Sequence, residues 1–136
     1  MTTAKELDIV LFGATGFTGG LVAEYLASCA EGERLRWGLA GRNRAKLEQV
    51  RAKLARTWPR LSDLPLLTAD SGDLDSLKQL ARRARVIITT VGPYARYGEP
   101  LVQACAEVGT DYVDLTGEPA FVERMIERHH QTASAR

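Results

Sequence analysis

The chain has 136 residues, 45% of them hydrophobic and 26% charged, a balance that excludes intrinsic disorder and suits one domain with a real core. Its formal net charge of +1 gives no general attraction to nucleic acid or to a membrane surface. The longest apolar runs, Asp8 to Phe12 and Val86 to Val91, are far shorter than the roughly 18 residues of a membrane span, and the opening residues are polar, unlike a leader peptide. A cytoplasmic location is therefore expected.

Leu7 to Phe12 is an almost wholly apolar run ended by Gly13, which predicts a strand covered on both faces. From Phe17 to Cys29, the residues Leu21, Val22, Tyr25, Leu26 and Cys29 recur at helical spacing. Leu35 to Ala40 reads as a second strand stopped by Gly41. Arg44 to Trp58 reads as a helix with Leu47, Val50 and Leu54 on one face, closed by Pro59. Leu64 to Ala69 is a third strand, and Asp73 then caps a helix carrying Leu74, Leu77 and Leu80.

Ala84 to Val91 is a fourth, β-branched strand closed by Gly92-Pro93. A helix from Pro100 to Val108 follows, with Gly109 just past its end. Tyr112 to Leu115 is a fifth strand. The last helix opens at Pro119 and places Phe121, Val122, Met125 and Ile126 on one face, leaving Gln131 to Arg136 polar and without pattern. His129 and His130 are expected as solvated residues at that helix end, and Cys29 and Cys105 as buried free thiols on helices. Neither pair has metal-ligand spacing, so no metal is expected.

Five repeats of strand then helix call for an α/β, doubly wound parallel sheet of the Rossmann type, with right-handed crossovers and strand order 3-2-1-4-5. The alternation stops where a sixth strand is expected. This predicts that residues 1–136 are a single dinucleotide-binding domain, trimmed from a longer protein whose substrate domain lies elsewhere.

The strongest chemical signal is Gly13-Ala14-Thr15-Gly16-Phe17-Thr18-Gly19, between the first strand and the first helix. In that position Gly13 turns the chain sharply, Gly16 lets a pyrophosphate approach the backbone, and Gly19 lets the helix pack close to the sheet. Amides at the helix start, aided by the helix dipole, then hold the diphosphate. At the end of the second strand an acidic side chain would accept the ribose hydroxyls of NAD, but the sequence is Ala40-Gly41-Arg42-Asn43-Arg44. A guanidinium suits a 2′-phosphate, so Arg42 predicts NADP (NADPH). Arg44 and Lys46 are either helpers or solvated helix-start charges. Asp70 and Ser71 after the third strand are placed toward the adenine. Val91, Gly92, Pro93 and Tyr94 after the fourth are placed toward the diphosphate and nicotinamide ribose. Tyr94 and Tyr97 either border the nicotinamide or are partly buried aromatics.

Four stretches, GATGFTG (13–19), LAGR (39–42), VGPYARYGEP (91–100) and YVDLTGE (112–118), resemble the N-terminal NADP-binding domain of saccharopine dehydrogenase-like oxidoreductases, a group similar to mycobacterial trans-acting enoyl reductases. The resemblance runs from about Asp8 to His130. It implies a nicotinamide-dependent reductase of greater length whose second domain shapes the substrate site. It also implies that the glycine loop, Ala40 to Arg42, Asp70 and Val91 to Tyr94 hold the cofactor, with Tyr97, Gly98 and Glu118 on the substrate side.

A short-chain reductase would need Tyr followed four residues later by Lys. Tyr25, Tyr94, Tyr97 and Tyr112 are instead followed by Cys29, Gly98, Leu101 and Thr116. No Gly-Lys-Ser or Gly-Lys-Thr phosphate loop occurs, and no nucleophile and base pair is recognisable, so catalytic residues are not assigned. Two readings stay open: the cofactor half of an NADP-dependent oxidoreductase acting on a small molecule, inactive alone, or a non-catalytic NADP-binding redox sensor. An unpaired edge at the fifth strand predicts pairing into a homodimer.

Overall fold

A computed structural model describes residues 5–29 and 34–136. The strands are β1 (Leu7–Phe12), β2 (Trp37–Gly41), β3 (Leu66–Thr68), β4 (Ala84–Thr89) and β5 (Asp111–Val113). The helices are α1 (Phe17–Ser28), α2 (Arg44–Thr57), α3 (Leu74–Arg83), the single turn α4 (Tyr94–Tyr97), α5 (Glu99–Val108) and α6 (Pro119–Ser134). A 3-10 turn occupies Pro59–Asp63. The five strands form one parallel sheet in the order β3-β2-β1-β4-β5, the order expected from the alternation of elements.

β1 sits between β2 and β4, pairing Val10 with Gly38 on one side and with Ile87 on the other. Because alternate side chains of a strand face opposite ways, Val10 and Phe12 enter one core and Leu11 the other. The first core joins Ile87 to Leu77 and Leu80 of α3 and to Leu101 and Cys105 of α5. The second joins Leu39 to Ala23 of α1, Leu47 and Leu54 of α2, and Leu61 of the 3-10 turn. Both faces of the sheet are thus covered, which explains why β1 and β2 read as unbroken apolar runs. A small third cluster of Tyr94, Phe121 and Met125 ties α4 to α6.

Local signals account for most helix ends. The Asn43 side chain accepts from the Lys46 amide at the start of α2, and Asp73 accepts from the Asp75 and Ser76 amides at the start of α3, as expected of a cap. Gly109 ends α5 in the left-handed region at φ 85°. No helix of the described residues is long and apolar enough to cross a membrane.

Several expectations are corrected. The strand expected at Leu64 to Ala69 is only Leu66–Thr68, because Pro59 begins a 3-10 turn and buried Leu64 closes it. β4 stops at Thr89 rather than Val91: the Thr89 hydroxyl accepts from the Val91 amide, curling the chain away from the sheet. The fifth strand is Asp111–Val113 rather than Tyr112 to Leu115. α4 was hidden in the sequence, because a four-residue turn shows no periodicity. Gln131 to Ser134 is not patternless tail but the last turn of α6. His129 and His130 therefore lie within a helix, with His129 half-buried. Cys29 is a half-buried residue just past the end of α1, whereas Cys105 is buried as expected.

Burial pushes the Cys105 thiol up from its ordinary value of 9.0 to about 12, against a smaller opposing pull from Lys5. The folded thiol therefore holds its proton more tightly than the unfolded one. Its contribution to stability is complete below pH 9 and is lost as pH rises toward 12. Urea midpoints measured across this window should fall, and Cys105→Ala should remove part of the slope. Disulfide-exchange reagents at neutral pH should titrate Cys105 only after unfolding.

Candidate functional site

The turn from β1 into α1 leaves no room for side chains at two of its glycines. Gly13 lies at φ 94°, and a Cβ there would meet the Thr90 hydroxyl and a Val91 methyl, each at 2.8 Å. A Cβ on Gly19 would collide with the Gly13 carbonyl, so the first turn of α1 can rest directly on the loop only without a side chain. The Gly13 amide donates to the Ala40 carbonyl at 3.0 Å, and the Thr90 hydroxyl donates to the Gly13 carbonyl at 3.3 Å. β2 and β4 thereby clamp the loop from both sides.

Gly16 is the N-cap of α1 and offers no side-chain acceptor, and the first turn holds no acidic residue. The amides that open α1 are left to an acceptor from outside, and the helix dipole favours an anionic one.

Beyond the carboxyl ends of the strands lies a crevice of about 390 Å³. Its floor is Phe12, Gly13 and Thr15. Gly41, Arg42, Asn43 and Lys46 border it after β2, Ala69 and Ser71 after β3, and Val91, Gly92 and Tyr97 after β4. None of these residues is acidic. Arg42 and Lys46 are exposed, and neither side chain has an ion-pair or hydrogen-bond partner among the described residues. Arg44 does have partners: its guanidinium donates to the Leu66 carbonyl at 3.3 Å and pairs with Glu48 at 3.4 Å. The sequence left Arg44 and Lys46 open between helper and solvated helix-start charge, with the solvated role favoured for Lys46; the fold instead puts Lys46, and not Arg44, at the crevice.

Another cavity, of about 380 Å³, lies between α5, β5 and α6, away from the glycine loop. It includes His129, whose Nε2 is buried without a partner among the described residues.

Of the residues singled out in the sequence, Gly13, Thr15, Gly41, Arg42, Ser71, Val91, Gly92 and Tyr97 meet at the crevice. Gly16, Thr18 and Gly19 form the adjoining helix start. Ala14 and Ala40 are fully buried and serve as scaffold. The Phe17 side chain, 86% exposed, lies in a groove between α1 and α2, so only its amide belongs to the helix start. Asp70 does not line the crevice; its carboxylate accepts from the Gly72 amide at 2.8 Å and shapes the turn before α3. Pro93, after a cis peptide bond, also stands off the lining.

Three residues expected near the nicotinamide or substrate side have partners within the fold. Tyr94 is buried, its ring against Phe121 and its hydroxyl donating to the Thr89 carbonyl at 3.1 Å; burial also raises its phenol above the usual range. Gly98 is a packing glycine, because a Cβ there would meet Phe121 and the Tyr94 carbonyl at 2.8 Å. Glu118 faces neither crevice nor solvent alone: its carboxylate accepts from the Tyr94 amide at 2.8 Å and the Ala95 amide at 3.0 Å. Sequence reasoning missed Phe12 and Asn43 in the lining; Phe12 reads as part of the first strand, and Asn43 caps α2 in the structure.

A doubly wound parallel sheet with a glycine turn, open helix amides and free cations at its carboxyl edge defines a dinucleotide-binding Rossmann domain. The profile of the saccharopine dehydrogenase NADP binding domain matches residues 9–136, and the chain belongs to that family. NADP is accordingly its cofactor. A trans-acting enoyl reductase of Mycobacterium leprae is 51% identical over 131 residues, covering 96% of this chain and 30% of the relative. A trans-acting enoyl reductase of Mycobacterium tuberculosis is 50% identical over 130 residues, again covering 96% of this chain and 30% of the relative. The chain thus spans under a third of the length of these relatives.

Among solved structures, apo saccharopine dehydrogenase (L-Glu forming) from Saccharomyces cerevisiae superposes with a TM-score of 0.61 at 20% identity, covering 86% of this chain and 23% of that one. AtPrR2, solved with NADP+ and (+)pinoresinol, gives 0.56 at 18% identity, covering 98% of this chain and 47% of that one. These two likenesses show the fold.

Removing the Tyr94 hydroxyl with Tyr94→Phe should cost about 1 kcal/mol of stability, the usual worth of a buried hydrogen bond, in urea unfolding.

Proposed function

We propose that the chain is the cofactor-holding domain, over residues 1–136, of an oxidoreductase that passes hydride between NADP and a small-molecule substrate. On this reading the amides that open α1, from Phe17 to Gly19, hold the diphosphate. Arg42 and Lys46 hold the 2′-phosphate, Ser71 borders the adenine, and Val91, Gly92 and Tyr97 flank the nicotinamide. The observation that carries the reading is the pair of cations, unpartnered among the described residues, beside open helix amides at a crevice with no acidic residue among its lining. The missing Cβ atoms at Gly13 and Gly19 fit the group sterically, since side chains there would push the loop out of its present place.

When bound, NADPH supplies the hydride. This chain's residues bind and orient the cofactor, and no described side chain at the crevice has the arrangement of a proton-transfer pair. The names of the mycobacterial relatives point to an enoyl group as the acceptor, with the substrate-shaping residues in the part of those relatives that this chain does not span. A cytoplasmic location belongs to the same proposal.

Fluorescence titration of the protein should give a lower Kd for NADPH than for NADH. Arg42→Ala should raise the NADPH Kd about ten- to hundredfold, the worth of losing charge-assisted hydrogen bonds to phosphate, and leave NADH within about twofold. Lys46→Ala should do the same more weakly, and Arg44→Ala should change neither. Equal wild-type affinity for the two cofactors would remove the phosphate role of Arg42.

The β5 edge supports pairing with a second copy as a further part of this reading. Among the described residues β5 pairs only with β4, and Val113 and Leu115 are exposed on and just after it. Sedimentation should show a dimer that Val113→Lys dissociates; a monomeric wild type at micromolar concentration contradicts it.

A further inference from the structure

From Asp111 to Glu118 the chain alternates without a break, odd-numbered residues exposed and even-numbered ones half-buried. Only the first three of these residues pair with the sheet, so something else keeps the rest extended. The even residues carry it. The Tyr112 hydroxyl donates to Asp114 at 2.6 Å, and the Asp114 carboxylate accepts from the Thr116 amide at 3.0 Å. The Thr116 hydroxyl accepts from the Glu118 amide at 3.1 Å. The ladder ends at the Glu118 carboxylate, with one oxygen on the Tyr94 amide and the other on the Ala95 amide.

Glu118 is the N-cap of α6, yet its carboxylate makes no bond to α6. It closes α4 instead, where Pro93 is the N-cap and has no side-chain acceptor to give. The segment held in this way leads through the crevice: Val91 and Gly92 line it before α4, and Tyr97 lines it at the end of α4. Its other anchors are the Tyr94 hydroxyl on the Thr89 carbonyl, the Thr89 hydroxyl on the Val91 amide and the Phe121 ring against Gly98. Since β4 and β2 flank β1 on opposite sides, this segment faces the crevice across the glycine loop from Arg42 and Lys46.

We propose that Glu118 is a positioning residue for the nicotinamide half of the cofactor, fixing the Val91–Tyr97 segment through its two amide contacts while the adenosine half is held independently on the β2 side. The proposal rests on the NADP reading of the crevice. Both carboxylate oxygens are needed. A glutamine at 118 offers one acceptor and turns an NH2 group toward the second amide, so a near-isosteric change breaks the clamp.

The test uses the full protein and two probes, NADPH and adenosine 2′,5′-bisphosphate, which lacks the nicotinamide half. Glu118→Gln is expected to weaken NADPH about tenfold, the effect of losing a charge-assisted contact, and to leave the bisphosphate within about twofold. Nicotinamide fluorescence of the bound NADPH should change, and hydrogen exchange at the Tyr94 and Ala95 amides should speed up while that of β1 stays at the wild-type rate. Thr116→Val keeps the carboxylate but removes the acceptor for the Glu118 amide, and should give the same pattern at about threefold.

Equal weakening of both probes overturns the proposal in favour of a purely structural role, and unchanged NADPH affinity with unchanged exchange overturns it outright. If Glu118→Gln does not fold, Thr116→Val decides, and wild-type behaviour of that variant overturns it. A wild type that binds neither probe defeats the cofactor reading and this proposal with it. A wild type that binds both with an unresponsive Glu118→Gln defeats only the role of Glu118.

Discussion

The approach of α1 to the Gly13 carbonyl, possible only because Gly19 has no side chain, is the contact on which the rest of the crevice depends. It brings the helix start to the end of the central strand, so that amides with no cap of their own face the space above β1. The same loop is fixed by its neighbours in the sheet. The Ala40 carbonyl of β2 takes the Gly13 amide, and Thr90, after β4, reaches the Gly13 carbonyl. A small-residue pattern in one loop is thus held in place from both flanking strands.

The two sides of the crevice are built by different physics. On the β2 side stand exposed cations: among the described residues Arg42 and Lys46 lack partners, whereas Arg44 already donates to the Leu66 carbonyl and pairs with Glu48. Exposed charges of this kind cost little to hold apart and are available to an incoming phosphate. On the β4 side the determinants are backbone positions, held by Thr89, Glu118 and Phe121 from three directions. In the proposed reading, side-chain charge selects the nucleotide on one side, and backbone placement sets how its far end lies on the other.

The run Tyr112 to Glu118 links the outer strand to that second side. Its polar rungs face inward and its apolar residues Val113 and Leu115 face out, the reverse of a strand that packs on a core. Inward polarity is tolerated because each rung finds the next as its hydrogen-bond partner. Tyr112 shows the consequence: burial first, then its bond to Asp114, holds its phenol proton far more tightly than usual.

Much of this was legible in the amino-acid sequence, because it depends on contacts close along the chain. Apolar runs of strand length set the parallel sheet, Asp73 and Gly109 marked helix ends through their own caps, and the glycine spacing located the turn. The position of Arg42 after β2 followed from the same short-range logic. What only the tertiary structure decided are the pairings between residues far apart in the chain. It separated Lys46 from Arg44 and turned Tyr94 inward, and it showed Glu118 bound to amides 23 and 24 residues earlier. A carboxylate, a phenol or a guanidinium reads alike in a sequence whether it meets a ligand or the protein's own backbone. Which of the two it meets is set by the packing of α4 against α6 and of α2 against β3, and no local pattern encodes that packing.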